Sequence, residues 1–86
     1  MAKATMAPGD AESLCEFLSS VSEVVDLPAS LREACRYWAY RVDSRTQRQD
    51  LQQVAWLLRS TSEHRRIPAD HRKQADWWTA RLERGW

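Results

Sequence analysis

The chain has 86 residues, 43% of them apolar and 29% charged, with 13 Lys and Arg against 12 Asp and Glu for a net charge of +1. That length supports one modest core, and the balance of charge with apolar content excludes a disordered chain. No apolar run reaches the roughly 20 residues of a bilayer span, and two Cys are too few for a disulfide scaffold.

Taken in chain order, residues 1–9 read as a flexible segment without the apolar stretch of a signal peptide, which predicts a cytoplasmic protein with no membrane partner. Pro8-Gly9 then breaks the chain, and Asp10 is placed to cap a first helix running to about Val24. Leu14, Phe17, Leu18 and Val21 recur at i, i+3, i+4 and i+7, which is one helical face. A second helix opens at Pro28 or Ser30. Pro is tolerated in a first turn, and Ser30 with Glu33 has capping-box spacing. Its stripe is Leu31, Ala34, Cys35, Trp38 and Val42.

The polar link Asp43-Ser44-Arg45 leads to a third helix, for which Thr46 and Gln49 offer a second capping box. Leu51, Val54, Ala55 and Leu58 form its apolar face. A basic loop at His64-Arg65-Arg66 precedes Pro68 and a fourth helix from about Asp70 to Arg84. Gly85 and Trp86 have the character of a helix-ending glycine and its apolar clasp. No stretch alternates with period two, so no strand is expected.

The chain also repeats itself. Residues 14–43 align without a gap on residues 54–83, a shift of 40, with nine identities in thirty positions. They include Leu18/Leu58, Ser22/Ser62, Glu23/Glu63, Pro28/Pro68, Arg32/Arg72, Trp38/Trp78 and Arg41/Arg81. Conservative pairs such as Phe17/Leu57, Leu27/Ile67 and Tyr37/Trp77 fill the apolar places between them. A period near 40 suits helical arrays, but two units are too few for a solenoid, which needs about three. The expected fold is therefore all-α: a four-helix domain over residues 10–86, made of two pseudo-repeated hairpins at about 10–43 and 46–86.

The two halves differ in charge. Residues 1–43 sum to −3 and residues 44–86 to +4. The difference gathers around one loop, where Val24-Val25-Asp26 is replaced by His64-Arg65-Arg66 and Leu31-Arg32-Glu33 by His71-Arg72-Lys73. Free N–H groups and the helix dipole favour anions at such a helix start. His64, Arg65, Arg66, His71, Arg72 and Lys73 are thus candidate contacts for an anion or nucleic acid, although Asp70, Asp76 and Glu83 interrupt the basic face.

Candidate chemistry is sparse. His64 and His71 lack the further ligands of a zinc site, and Cys15 and Cys35 read as buried thiols acting as small hydrophobes. No Gly-rich phosphate loop or nucleophile elbow is present. Neither an enzyme nor a cofactor is expected.

The aromatic residues carry the remaining signal, and five of them are Trp, with two Tyr and one Phe. Trp38 and Trp78 belong to the apolar stripes and are expected in the core. Tyr37 and Trp77 sit about 100° further round their helices, and Tyr40 and Trp56 are also off the stripes. Trp and Arg at the edge of a small domain have the composition of binding hot spots. Tyr37, Trp56 and Trp77 with Arg41 and Arg81 are therefore the candidate contact surface for another protein. The expectation is a non-enzymatic interaction module such as an adaptor, inhibitor or assembly subunit. One alternative is nucleic-acid binding through the basic half. The other is a homo-oligomer joined through its acidic and basic halves.

Overall fold

A computed structural model describes residues 6–84 of the chain. It contains four helices, α1 (Pro8–Ser22), α2 (Ala29–Ala39), α3 (Arg48–Ser62) and α4 (Ala69–Arg84), and no strand among the described residues. The helix α1 packs chiefly on α2 and α3 chiefly on α4, while looser contacts join α2 to α3 and α1 to α4. Gly85 and Trp86 lie outside the described residues, as does the helix-end clasp expected of them.

The apolar stripes are what bind the helices together. Leu14, Phe17, Leu18 and Val21 of α1 are all buried, as are Leu51, Val54, Ala55 and Leu58 of α3. Ala75, Trp78 and Leu82 bring α4 into the same core, with Leu27 and Ile67 contributed by the two inter-helix loops. Burying one such Leu or Val side chain is worth about 1.5–3 kcal/mol. In α2 only Cys35 is fully buried within the helix. Leu31, Ala34 and Trp38 pack against the core while keeping part of their surface exposed. Val42 is buried but lies beyond the end of α2, where its N–H and that of Arg41 both donate to the Trp38 carbonyl at 3.0 Å.

The helix starts differ from expectation. The first helix begins at Pro8, with Ala7 as its N-cap, so Asp10 falls within the first turn instead of capping it. Pro8 supplies a preset φ and lacks the N–H that would otherwise be orphaned, so no side-chain cap is required. Met6 lies ahead of that start and is buried in the core. Pro28 is the N-cap of α2, and neither there nor at Gln47 of α3 does a side chain bond to the helix start. The capping boxes of Ser30 with Glu33 and of Thr46 with Gln49 therefore do not form. Thr46 is drawn into a turn instead, its hydroxyl accepting the Asp43 N–H at 2.8 Å while the Asp43 carboxylate accepts from the Arg45 N–H at 2.8 Å. Short polar side chains take such local turns in preference to helical caps when the chain must reverse.

The two inter-helix loops are built alike. Each preceding helix ends in a Ser whose hydroxyl donates three residues back, Ser22 to Ser19 and Ser62 to Arg59. Each following helix starts with an Arg N–H donating to a Pro carbonyl, Arg32 to Pro28 at 3.1 Å and Arg72 to Pro68 at 2.9 Å. The same two guanidinium groups reach back over the loop, Arg32 to the Val25 carbonyl and Arg72 to the His64 carbonyl.

Candidate functional site

An apolar groove runs between α2 and α3, with a volume of about 770 Å³. Leu31, Ala34 and Trp38 form its α2 side, and Gln49, Gln52, Gln53, Trp56, Leu57 and Ser60 form its α3 side. None of these side chains is charged, in a protein where 29% of residues are. Depletion of charge at the centre of a patch is a compositional mark of protein interfaces.

The helical period explains the groove. In α3 the buried positions Leu51, Val54, Ala55 and Leu58 turn into the core shared with α4, which leaves Gln49, Gln53, Trp56 and Ser60 on a separate stripe at i, i+4, i+7 and i+11. Trp56 stands on the rim with 74% of its surface exposed. Trp38 is expected in the core, yet it lies at the edge, half-buried, and lines the groove. The reason is local. The second helix ends one residue after Trp38, so no further turn of α2 covers the indole.

Trp38 also borders a second, more polar recess with Tyr37, Arg41, Arg45 and Thr46. There the Arg41 guanidinium sits 4.3 Å above the Tyr37 ring, and Tyr37 meets Trp38 edge-on at 5.2 Å between centroids. Cation–π contact of this kind is worth about 0.5–1 kcal/mol at an exposed site. The structure thus brings Trp56, Trp38, Tyr37 and Arg41 onto adjoining surfaces of α2 and α3.

Trp77 is placed elsewhere. It is 57% exposed on α4 and packs edge-on against the buried Trp78 at 4.8 Å. No ring contact joins it to Trp56 or Tyr37 among the described residues. Arg81 follows it on α4 and is half-buried. Trp38 and the Gln row of α3 are the residues missed by sequence reasoning as members of the groove. The i, i+4, i+7, i+11 spacing of Gln49, Gln53, Trp56 and Ser60 was the signal that could have found the row.

The basic residues divide between structural and exposed positions. Arg72 is bound to the His64 carbonyl at 3.1 Å, and the His64 Nδ1 accepts the Arg66 N–H at 3.2 Å. His71 is folded against α1, its ring 6.1 Å from that of Phe17 and its Nε2 3.4 Å from the Ser20 hydroxyl. Its Nδ1 lies 3.4 Å from the exposed Asp70 carboxylate, and this hydrogen bonding holds the Asp70 carboxyl below its ordinary range. Arg65, Arg66 and Lys73 remain exposed.

Both cysteines are thiols. Burial pushes Cys35 up to about 11, opposed by a hydrogen bond with Thr61. Cys15 is raised by burial and by the carboxylates of Asp43 and Glu12, and its Sγ donates to the Val42 carbonyl at 3.1 Å. A thiol raised in this way is a poor nucleophile at neutral pH. Among the described residues no three His, Cys, Asp or Glu side chains converge as a metal site, and no helix is long and apolar enough to cross a membrane. No known protein family, curated protein or solved structure matches the chain.

Proposed function

We propose that the protein is a non-enzymatic interaction module that binds another protein through the α2–α3 groove and its aromatic rim. The observation that carries this reading is the uncharged groove with Trp56 exposed at its edge. Large exposed aromatics beside an apolar recess are the usual anchors of a protein interface. Tyr37 and Arg41 extend the contact surface at the Trp38 end. Trp77 and Arg81 belong to a separate patch on α4. The raised thiols of Cys15 and Cys35 argue against a nucleophilic enzyme.

The two hairpins are, in this reading, copies of one unit. The forty-residue shift in sequence and the matching Ser, Pro and Arg hydrogen bonds of the two loops support that descent. The copies then diverged where it mattered for binding: one kept an open face at Trp38, and the other closed its counterpart.

The test is capture from the native host on immobilised protein, comparing Trp56→Ala and Trp77→Ala with the parent chain. Trp56→Ala is expected to lose the captured partner while keeping its helical circular dichroism. Unfolding of both variants would make the aromatics core residues and remove the basis of the proposal.

A further inference from the structure

We infer that His71 is a pH-sensitive latch between α4 and α1, closed when its ring carries both protons. It lies apart from the α2–α3 groove and does not depend on the reading of that groove. The two ring nitrogens both face acceptors. The Ser20 hydroxyl has one proton, which it donates to the Phe17 carbonyl at 2.8 Å. Its oxygen therefore meets the His71 Nε2, 3.4 Å away, as an acceptor. On the other side the Nδ1 lies 3.4 Å from the Asp70 carboxylate, which also accepts the His71 backbone N–H at 3.0 Å. The Asp70 carboxyl is held below its ordinary range, so it stays an acceptor wherever an imidazole titrates. A neutral imidazole has one N–H and serves one of these two acceptors, whereas the imidazolium serves both.

The surroundings act in the same sense. On α1, Glu12, Glu16 and Glu23 line the recess that Ser20 also borders, and negative charge there favours a cationic ring. Cys15 in that recess is a raised, neutral thiol. The cations of α4 and its loop are engaged elsewhere or solvated. Arg72 donates to the His64 carbonyl, His64 accepts the Arg66 N–H, and Arg65, Arg66 and Lys73 are exposed. The latch matters because contact between α1 and α4 is sparse. When the ring loses a proton, the charge-assisted bond to Asp70 retains the Nδ1–H. Ser20 must then turn its own proton from the Phe17 carbonyl to the Nε2. Stability supplied by the charged ring is thus present below the imidazole range, near pH 6.5, and lost as pH rises through it.

Urea denaturation at about pH 5.5 and pH 8 tests this on the parent chain, His71→Gln and Asp70→Asn. The parent is expected to lose about threefold in its folding constant between the two pH values, the scale of an exposed ion pair. Both variants are expected to lose less, since His64 alone still titrates in His71→Gln and the carboxylate is gone in Asp70→Asn. A merely structural role for His71 would shift stability equally at both pH values. Two-bond nitrogen–proton NMR of the parent is expected to show both His71 nitrogens protonated at about pH 5.5 and the Nδ1–H tautomer at pH 8. Identical pH profiles for the parent and His71→Gln would overturn the latch, as would an Nε2–H ring at pH 8.

Discussion

Trp38 and Trp78 stand forty residues apart in sequence, and each is met edge-on by the aromatic residue before it. Their fates differ. Trp78 is 6% exposed in the core, whereas Trp38 lines an open groove. Two features of the chain account for this. The fourth helix continues six residues past Trp78, to Arg84, but α2 stops at Ala39. Beside Trp38 the chain then enters a polar turn in which Asp43 and Thr46 bond to each other. The lesson is that a shared residue does not ensure a shared role. The length of the helix and the lead-in to the next one decide whether an indole is sealed.

The largest expected effect follows from that contrast. Trp78→Ala should destabilise the fold by about 3–5 kcal/mol, the range for deleting a buried aromatic. Trp38→Ala should cost clearly less, about 1–2 kcal/mol, because part of its surface is already exposed to solvent. Urea denaturation of both variants checks this, and equal losses would erase the distinction between the two junctions.

Next in size is a pH effect confined to α2. Cys35 is raised from 9.0 to about 11 in the folded protein. An acid raised on folding contributes stability that is fully present below its unfolded value and is lost as pH rises through the folded one. The loss should therefore fall between about pH 9 and 11 and amount to about 3 kcal/mol. Cys35→Ala, measured by thermal melts across the same window, should flatten that part of the profile. Ala75 is the residue at the corresponding place in α4, which indicates that Ala fits there.

Smaller still are changes at the surface. Trp56→Ala should alter stability by no more than about 0.5 kcal/mol, as exposed substitutions do, in the same urea experiment that separates Trp38 from Trp78. Arg59 and Glu83 form an exposed ion pair that joins α3 to α4. Arg59→Ala should cost at most about 1 kcal/mol, and less in high salt. A larger loss would mean that the second hairpin depends on its surface charges more than on Trp78.

Much of the fold was legible because a helix buries a periodic stripe. Leu14, Phe17, Leu18 and Val21 declare one face of α1 whatever surrounds it, and Pro28 and Pro68 separate the two helices of each hairpin. The helix starts were less legible. Asp10, Ser30 and Thr46 all have the chemistry of an N-cap, but Pro8 and Pro28 already set the backbone there, and Thr46 found a better partner in Asp43. The candidate site was legible only in part. Trp56, Tyr37 and Arg41 stand out as residues the core does not need, but nothing in their spacing joins them to Trp38 or separates them from Trp77.

By itself, then, the sequence determined four amphipathic helices, their order, most of the residues that face inward and the charge that distinguishes one half from the other. These follow from local periodicity and composition, which act within a few turns of chain. Only the tertiary structure decided which neighbouring helices close over their shared boundary. That depends on the side chains that distant segments bring together: His71 lies against Phe17 and Ser20 between α4 and α1, whereas Leu31, Trp38 and Trp56 line an open groove between α2 and α3.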